Sequence, residues 1–174
     1  LHYPLRRQRQ MCIRDRAGYF RTNDQYSKFQ TYDSNEREMV YLSSEIITTP
    51  LAKSSLSHEF THLITFNQKD RIRKVTEETW LNEARAEAAI TLLGYDDKYE
   101  GTNLQKRVKT FLENPSFSLT EWSGVSADYG VLNIFTQYLL DHYGITILRD
   151  SLFSSETGIA SINYALSKNG YPDD

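Results

Sequence analysis

The sequence predicts a mainly α-helical domain with one short strand at its front edge. Three observations carry that prediction. Residues 51–66 repeat apolar side chains at helical spacing behind a Thr-Pro start signal. Residues 77–93 are rich in Ala, Glu and Leu and stop at Gly94. Residues 131–140 form a dense apolar run that stops at Gly144.

Taken in order, residues 17–36 are polar and Tyr-rich, with Asn and Asp turn formers, and read as loop with room for one short strand. Met39-Val40-Tyr41-Leu42 and Ile46-Ile47 are apolar or β-branched and short, which predicts a strand near 38–47. Thr49 is the expected N-cap of the next helix, with Pro50 at its first position. Leu51, Leu56, Phe60, Leu63, Ile64 and Phe66 supply its apolar stripe. Residues 68–75 are a charged connector, and the second helix follows over 77–93. A third helix over 103–113 ends before Asn114-Pro115. The fourth is built on Val131, Leu132, Ile134, Phe135, Tyr138, Leu139 and Leu140. Two more helical segments, 145–153 and 157–168, close the pattern near Asn169-Gly170. No internal repeat is present.

Bulk properties narrow the class. A chain of 174 residues can bury one real core. With 39% hydrophobic and 25% charged residues, the composition is that of a globular domain. A net charge of −3 argues against a nucleic-acid or anionic-membrane partner, and no apolar run approaches the length of a membrane span. Twelve Tyr suit half-buried helices and clefts, where a ring packs and its hydroxyl stays near water.

Residues 1–16 differ in kind from the rest. Five Arg, one Asp and no periodic pattern read as a non-native segment or a basic disordered arm, and they are set aside from fold reasoning. Without them, 15 Lys and Arg face 22 Asp and Glu, so residues 17–174 carry a net −7. The lone Cys12 goes with them, which leaves no disulfide framework. The start at Leu1 and the end on Tyr171-Pro172-Asp173-Asp174 suggest a domain cut off at its C-terminus.

The chemistry sits in His58-Glu59-Phe60-Thr61-His62. Two His four apart on a helix project from one face and can share a metal ion. The Glu between them can reach a water held by that metal without being a ligand itself. It can take the water's proton during attack on a carbonyl and pass it to the leaving amine. With four His in the chain, a chance H-E-x-x-H has a probability of roughly one per cent or less, so the motif is specific.

Glu83 follows after twenty intervening residues, in Trp80-Leu81-Asn82-Glu83-Ala84. Two helices joined by a loop of that length can pack against each other and carry Glu83 to the metal. Two His and one carboxylate leave a fourth position for water, the pattern of a catalytic zinc site. Glu87, one turn further on the same face, is the rival ligand; its other role is a carboxylate that orients a ligand His. Asn82 and Asp128 are further candidates for orienting a ligand His, with Asp128 also a candidate helix cap.

These two segments resemble the gluzincin zinc metallopeptidases, among them thermolysin, the aminopeptidase N relatives and the hyicolysin-like peptidases. Those families place a ligand Glu in an Asn-Glu context on the helix after H-E-x-x-H. The resemblance implies a zincin-like domain over residues 17–174, one catalytic Zn2+, a peptide or protein substrate, and a secreted or cell-envelope location. It also implies a Tyr that donates to the oxyanion from just before an apolar helix; Tyr129 matches by its offset, and a packing Tyr is its alternative. His142 is a weaker candidate for that role and suits the C-terminal end of its helix better. The G-x-M-E-N motif with which aminopeptidase N relatives bind a free amine is not found in residues 34–45. The pattern therefore favours an endopeptidase over an aminopeptidase, with a catalytically silent zinc-binding module as the reading from another class. The strand near 38–47 would pair with an extended substrate.

Overall fold

The computed structural model describes residues 17–171, so the expectations for residues 1–16 and 172–174 lie outside the described residues. The architecture is mainly helical with a small two-stranded sheet. β1 (Gly18–Phe20) pairs antiparallel with β2 (Val40–Leu42), Gly18 opposite Leu42 and Phe20 opposite Val40. The strand near 38–47 is present over residues 40–42, and the short strand that residues 17–36 left room for is its partner, at residues 18–20. Three residues suffice because Tyr19 stacks on Tyr41 across the ladder, centroids 4.4 Å apart.

The segment between the strands is anchored by the buried carboxylate of Asp24. It accepts from the Tyr41 hydroxyl at 2.6 Å and from the Asn35 N–H at 2.8 Å, with Arg21 beside it. Burial pushes the Asp24 carboxyl up, but these partners outweigh it and hold the pKa below the ordinary value. Ile46 and Ile47 leave the strand. The Ile46 N–H turns back on Ser43 and the Thr49 N–H on Ile46, which makes successive turns.

The first helix, α1, runs Leu51–Phe66, one residue later than predicted. Pro50 sits at the cap position, because the Thr49 hydroxyl is committed to the Ile46 carbonyl at 2.8 Å. The expected apolar stripe is only partly buried: Leu51, Leu56 and Phe60 are about half exposed, at 49%, 45% and 51%. The face turned inward carries Ser55, Ser57, Thr65 and Phe66 along with the two motif His.

The charged connector is not a loop. α1 continues into a π-helical segment, Asn67–Arg73, closed by Lys74 in the left-handed region at φ 61. A tertiary contact imposes this. Lys69 is fully buried and donates its Nζ to the carbonyls of Ser151, Ser154 and Glu156 at 2.7, 3.0 and 2.6 Å. Its counter-charge is Glu77 at 3.4 Å, which also accepts from Arg85 at 2.7 Å and from the Gly158 N–H at 2.7 Å.

Four helices and a short one then follow the predicted order: α2 (Thr79–Leu92), α3 (Asn103–Glu113), α4 (Ser126–Tyr143), α5 (Ile145–Leu152) and α6 (Gly158–Lys168). α4 starts well before the apolar run. Asp128, in its first turn, accepts from the Ser123 and Val125 N–H groups and caps the helix from inside. Tyr129 consequently lies within α4 and not ahead of it. The core joins Trp80, Leu81, Ala84 and Ala88 of α2 to Leu132 and Leu139 of α4, Ile147 and Leu148 of α5, and Ile162, Ala165 and Leu166 of α6. Each large side chain so buried stabilises by about 1.5–3 kcal/mol. α3 meets α4 at backbone contact. A Cβ on Gly130 would lie 2.8 Å from the Phe111 nitrogen, so only glycine permits that approach. Among the described residues, no helix is long and apolar enough to cross a membrane.

The Lys69–Glu77–Arg85 cluster generates a stability prediction. Burial pushes the Glu77 carboxyl up, but Arg85, the Gly158 N–H and Lys69 together hold it below its ordinary value of 4.5. A carboxyl depressed on folding contributes stability above its unfolded pKa and loses it as pH falls towards its folded one. Glu77→Gln should therefore cost about 3–5 kcal/mol at pH 7 in urea denaturation, since two buried cations lose their counter-charge. It should also remove part of the stability that the wild type loses below about pH 4.5.

Candidate metal centre

The site is built from one face of α1 and one of α2. His58 and His62, four residues apart, stand one turn apart on α1 and bring their Nε2 atoms to 3.1 Å. Their rings meet nearly edge to face, at 84°. Glu83 enters from α2, with Oε2 3.3 Å from His58 Nε2 and Oε1 3.6 Å from His62 Nε2. The three side chains form the one metal-competent group of His, Cys, Asp and Glu among the described residues. Ligands at 2.0–2.1 Å from a tetrahedral zinc are separated by roughly 3.3–3.4 Å, so these spacings suit that ion. The donor set of two imidazoles and one carboxylate suits it too.

The outer ring nitrogens are held as well. His62 Nδ1 lies 3.1 Å from the Asn82 amide oxygen, so the Nδ1–H donates there and the Nε2 lone pair points inward. His58 Nδ1 lies 3.5 Å from Glu87 Oε1. The two carboxylates of α2 are thereby distinguished: Glu83 lies on the Nε2 side and Glu87 behind the ring. Glu87 is almost fully buried and accepts from Arg107 Nε at 2.7 Å, Arg107 Nη2 at 3.0 Å and Asn103 Nδ2 at 2.7 Å, with Asn133 Nδ2 at 3.4 Å. Desolvation pushes the His58 imidazole down, but Glu83, Glu87 and Glu59 outweigh it and raise its pKa above the ordinary value. Without metal the carboxylates thus favour a proton on His58, which a cation must displace.

Glu59 faces the same cleft and lies against β1. A Cβ on Gly18 would sit 3.1 Å from Glu59 Cγ and 2.7 Å from the Tyr41 carbonyl oxygen. Glycine at position 18 therefore lets the strand run close over the motif glutamate. The cleft holds about 780 Å³ and extends along α1, with β1 on one wall and α2, Arg107, Trp122 and Tyr129 on the other. The Tyr129 ring is packed edge-on against Trp122, centroids 5.0 Å apart, under the Arg107 guanidinium at 4.4 Å. Asp128 does not reach the histidines; its carboxylate caps α4. His142 stands near the C-terminal end of α4, its Nδ1 3.0 Å from the Tyr138 carbonyl, and does not line the cleft.

Sequence reasoning missed Arg107, Asn103 and Asn133 around Glu87, and Gly18 against Glu59. No local signal marks them: Arg107 is one of many charges on an exposed helix. Only the packing of α3 on α4, with α2 behind, brings it to Glu87.

If the group of His58, His62 and Glu83 holds zinc, replacing a residue that orients one of its histidines should weaken that binding about 10–100-fold. Glu87→Gln and Asn82→Ala should each raise the Kd for zinc by that factor in a chelator-competition titration, with the fold retained by circular dichroism. Comparison of the chain with family models, with curated proteins and with solved structures gives no match.

Proposed function

We propose that this chain is the zincin-like catalytic domain of a gluzincin-type zinc metallopeptidase that hydrolyses internal peptide bonds. The single observation that carries the reading is the meeting of His58 Nε2, His62 Nε2 and the Glu83 carboxylate at 3.1–3.6 Å, on the two motifs that the resemblance rests on. A zinc ion held there would act as a Lewis acid on the carbonyl and lower the pKa of water.

The rest of the chemistry belongs to the chain. Glu59 takes the proton of the attacking water and delivers it to the departing amine nitrogen as the C–N bond breaks. His58 and His62 are kept in register by Glu87 and Asn82, so the site is preorganised. β1 lines the cleft beside Glu59 and offers backbone groups to an extended peptide. That role falls to β1, not to the 38–47 strand. Tyr129, in the opposite wall, is the candidate oxyanion donor, its ring held by Trp122 and Arg107.

Two measurements test this. Glu59→Gln should keep zinc by elemental analysis and lose about 10²–10⁴ in kcat on a quenched casein substrate. Zinc bound by the wild type with no hydrolysis of any protein would support a silent binding module instead. Tyr129→Phe should lower kcat by about 10²–10³ with KM little changed if the hydroxyl stabilises the oxyanion. An unchanged kcat would return Tyr129 to a packing role.

A further inference from the structure

The cleft does not end at the metal-competent group. It runs on past His62 along α1 into an arm lined by Phe20, Thr65, Phe66, Asp70 and Thr76. This arm has an aromatic wall and a polar end. Phe20 and Phe66 pack on each other with ring centroids 5.8 Å apart and together make that wall. Thr65 is 1% exposed, and its hydroxyl has no hydrogen-bond partner, although it lines the cleft. A buried hydroxyl without a partner is costly unless something arrives to bond it.

Asp70 supplies the charge. Its Oδ1 accepts from the Thr76 hydroxyl at 3.0 Å, and its Oδ2 takes no hydrogen bond from any described residue. Neither Lys69 nor Arg73 is paired with it. Lys69 is committed to Glu77 and three carbonyls, and Arg73 to the Phe153 and Gln68 carbonyls. Arg71 lines a different cavity. An aromatic wall with a carboxylate at its far end matches an apolar stem that carries a terminal cation. Asp70 is eight residues beyond His62, roughly 12 Å along the helix. An extended peptide advances about 3.3–3.6 Å per residue, so the matching side chain belongs about three or four positions from the bond cut.

We infer that this arm is a substrate subsite for a long basic side chain, lysine or arginine, with Asp70 as its counter-charge. The inference rests on the cleft being a peptide-binding one, and it deepens the metallopeptidase reading by naming a substrate class.

Binding and hydrolysis separate the two ideas. The zinc-loaded Glu59→Gln chain is titrated with fluorescent peptides that differ at one position, Lys, norleucine or Glu, scanned over four places on either side of the centre. At one of these places the Lys peptide should bind about tenfold tighter than the Glu peptide. The difference should shrink with added salt and vanish in Glu59→Gln/Asp70→Asn, where Asn keeps the Thr76 hydrogen bond. Equal binding at every place, or a preference that survives Asp70→Asn, overturns the subsite. Discrimination in binding without hydrolysis of any peptide by the wild type keeps the subsite and overturns the peptidase. Hydrolysis without discrimination does the reverse.

Discussion

A carboxylate buried among helices must be satisfied from several directions at once, and Glu87 shows what that demands of this fold. It stands on α2 and takes hydrogen bonds from Arg107 and Asn103 on α3, with Asn133 of α4 close behind and His58 of α1 in front. Four helices therefore meet at one charge. Moving α3 would take away its Arg107 and Asn103 partners, and moving α1 or α4 would loosen the contacts to His58 or Asn133. The orientation of His58, and with it the pairing of the two Nε2 atoms, depends on that closure.

A second buried charge group fixes the other side of the same helix pair. Lys69, in the π-helical segment after α1, Glu77, just ahead of α2, and Arg85, within α2, are bound together and to the end of α5 and the start of α6. The π-helical stretch and the left-handed Lys74 follow from the need to turn Lys69 inward. α1 and α2 are thus gripped at both ends of their contact, by Glu87 and by Glu77, with Glu83 between. A side chain held at both ends of its helix has little freedom to leave the meeting point.

Two glycines set the remaining distances. Gly130 lets α3 approach α4 closely enough for Arg107 to reach Glu87, and Gly18 lets β1 lie over Glu59. Both act through what they lack. The cleft between these contacts carries Glu59, Glu83 and Asp70, which agrees with the acidic balance of residues 17–174.

The sequence by itself determined the helices and the spacing of the His and Glu side chains in the candidate site. Periodicity, Gly94, Gly144 and Asn114-Pro115 delimit elements locally, and H-E-x-x-H places two imidazoles on one helix face whatever surrounds it. Asn82 and Glu87 could be named as partners for the ligand histidines because they share the helix turn of Glu83. Tertiary structure alone decided which carboxylate lies on which side of His58, since residues 83 and 87 have the same helical phase. It also made a π-helix of the charged connector, paired the short strand of residues 18–20 with that of residues 40–42, and left half of the α1 stripe exposed. Arg107 and Asp70 gained their significance in the same way. Their partners lie far off in sequence or across the cleft, and charges that look solvated in a chain become specific only when packing excludes water around them.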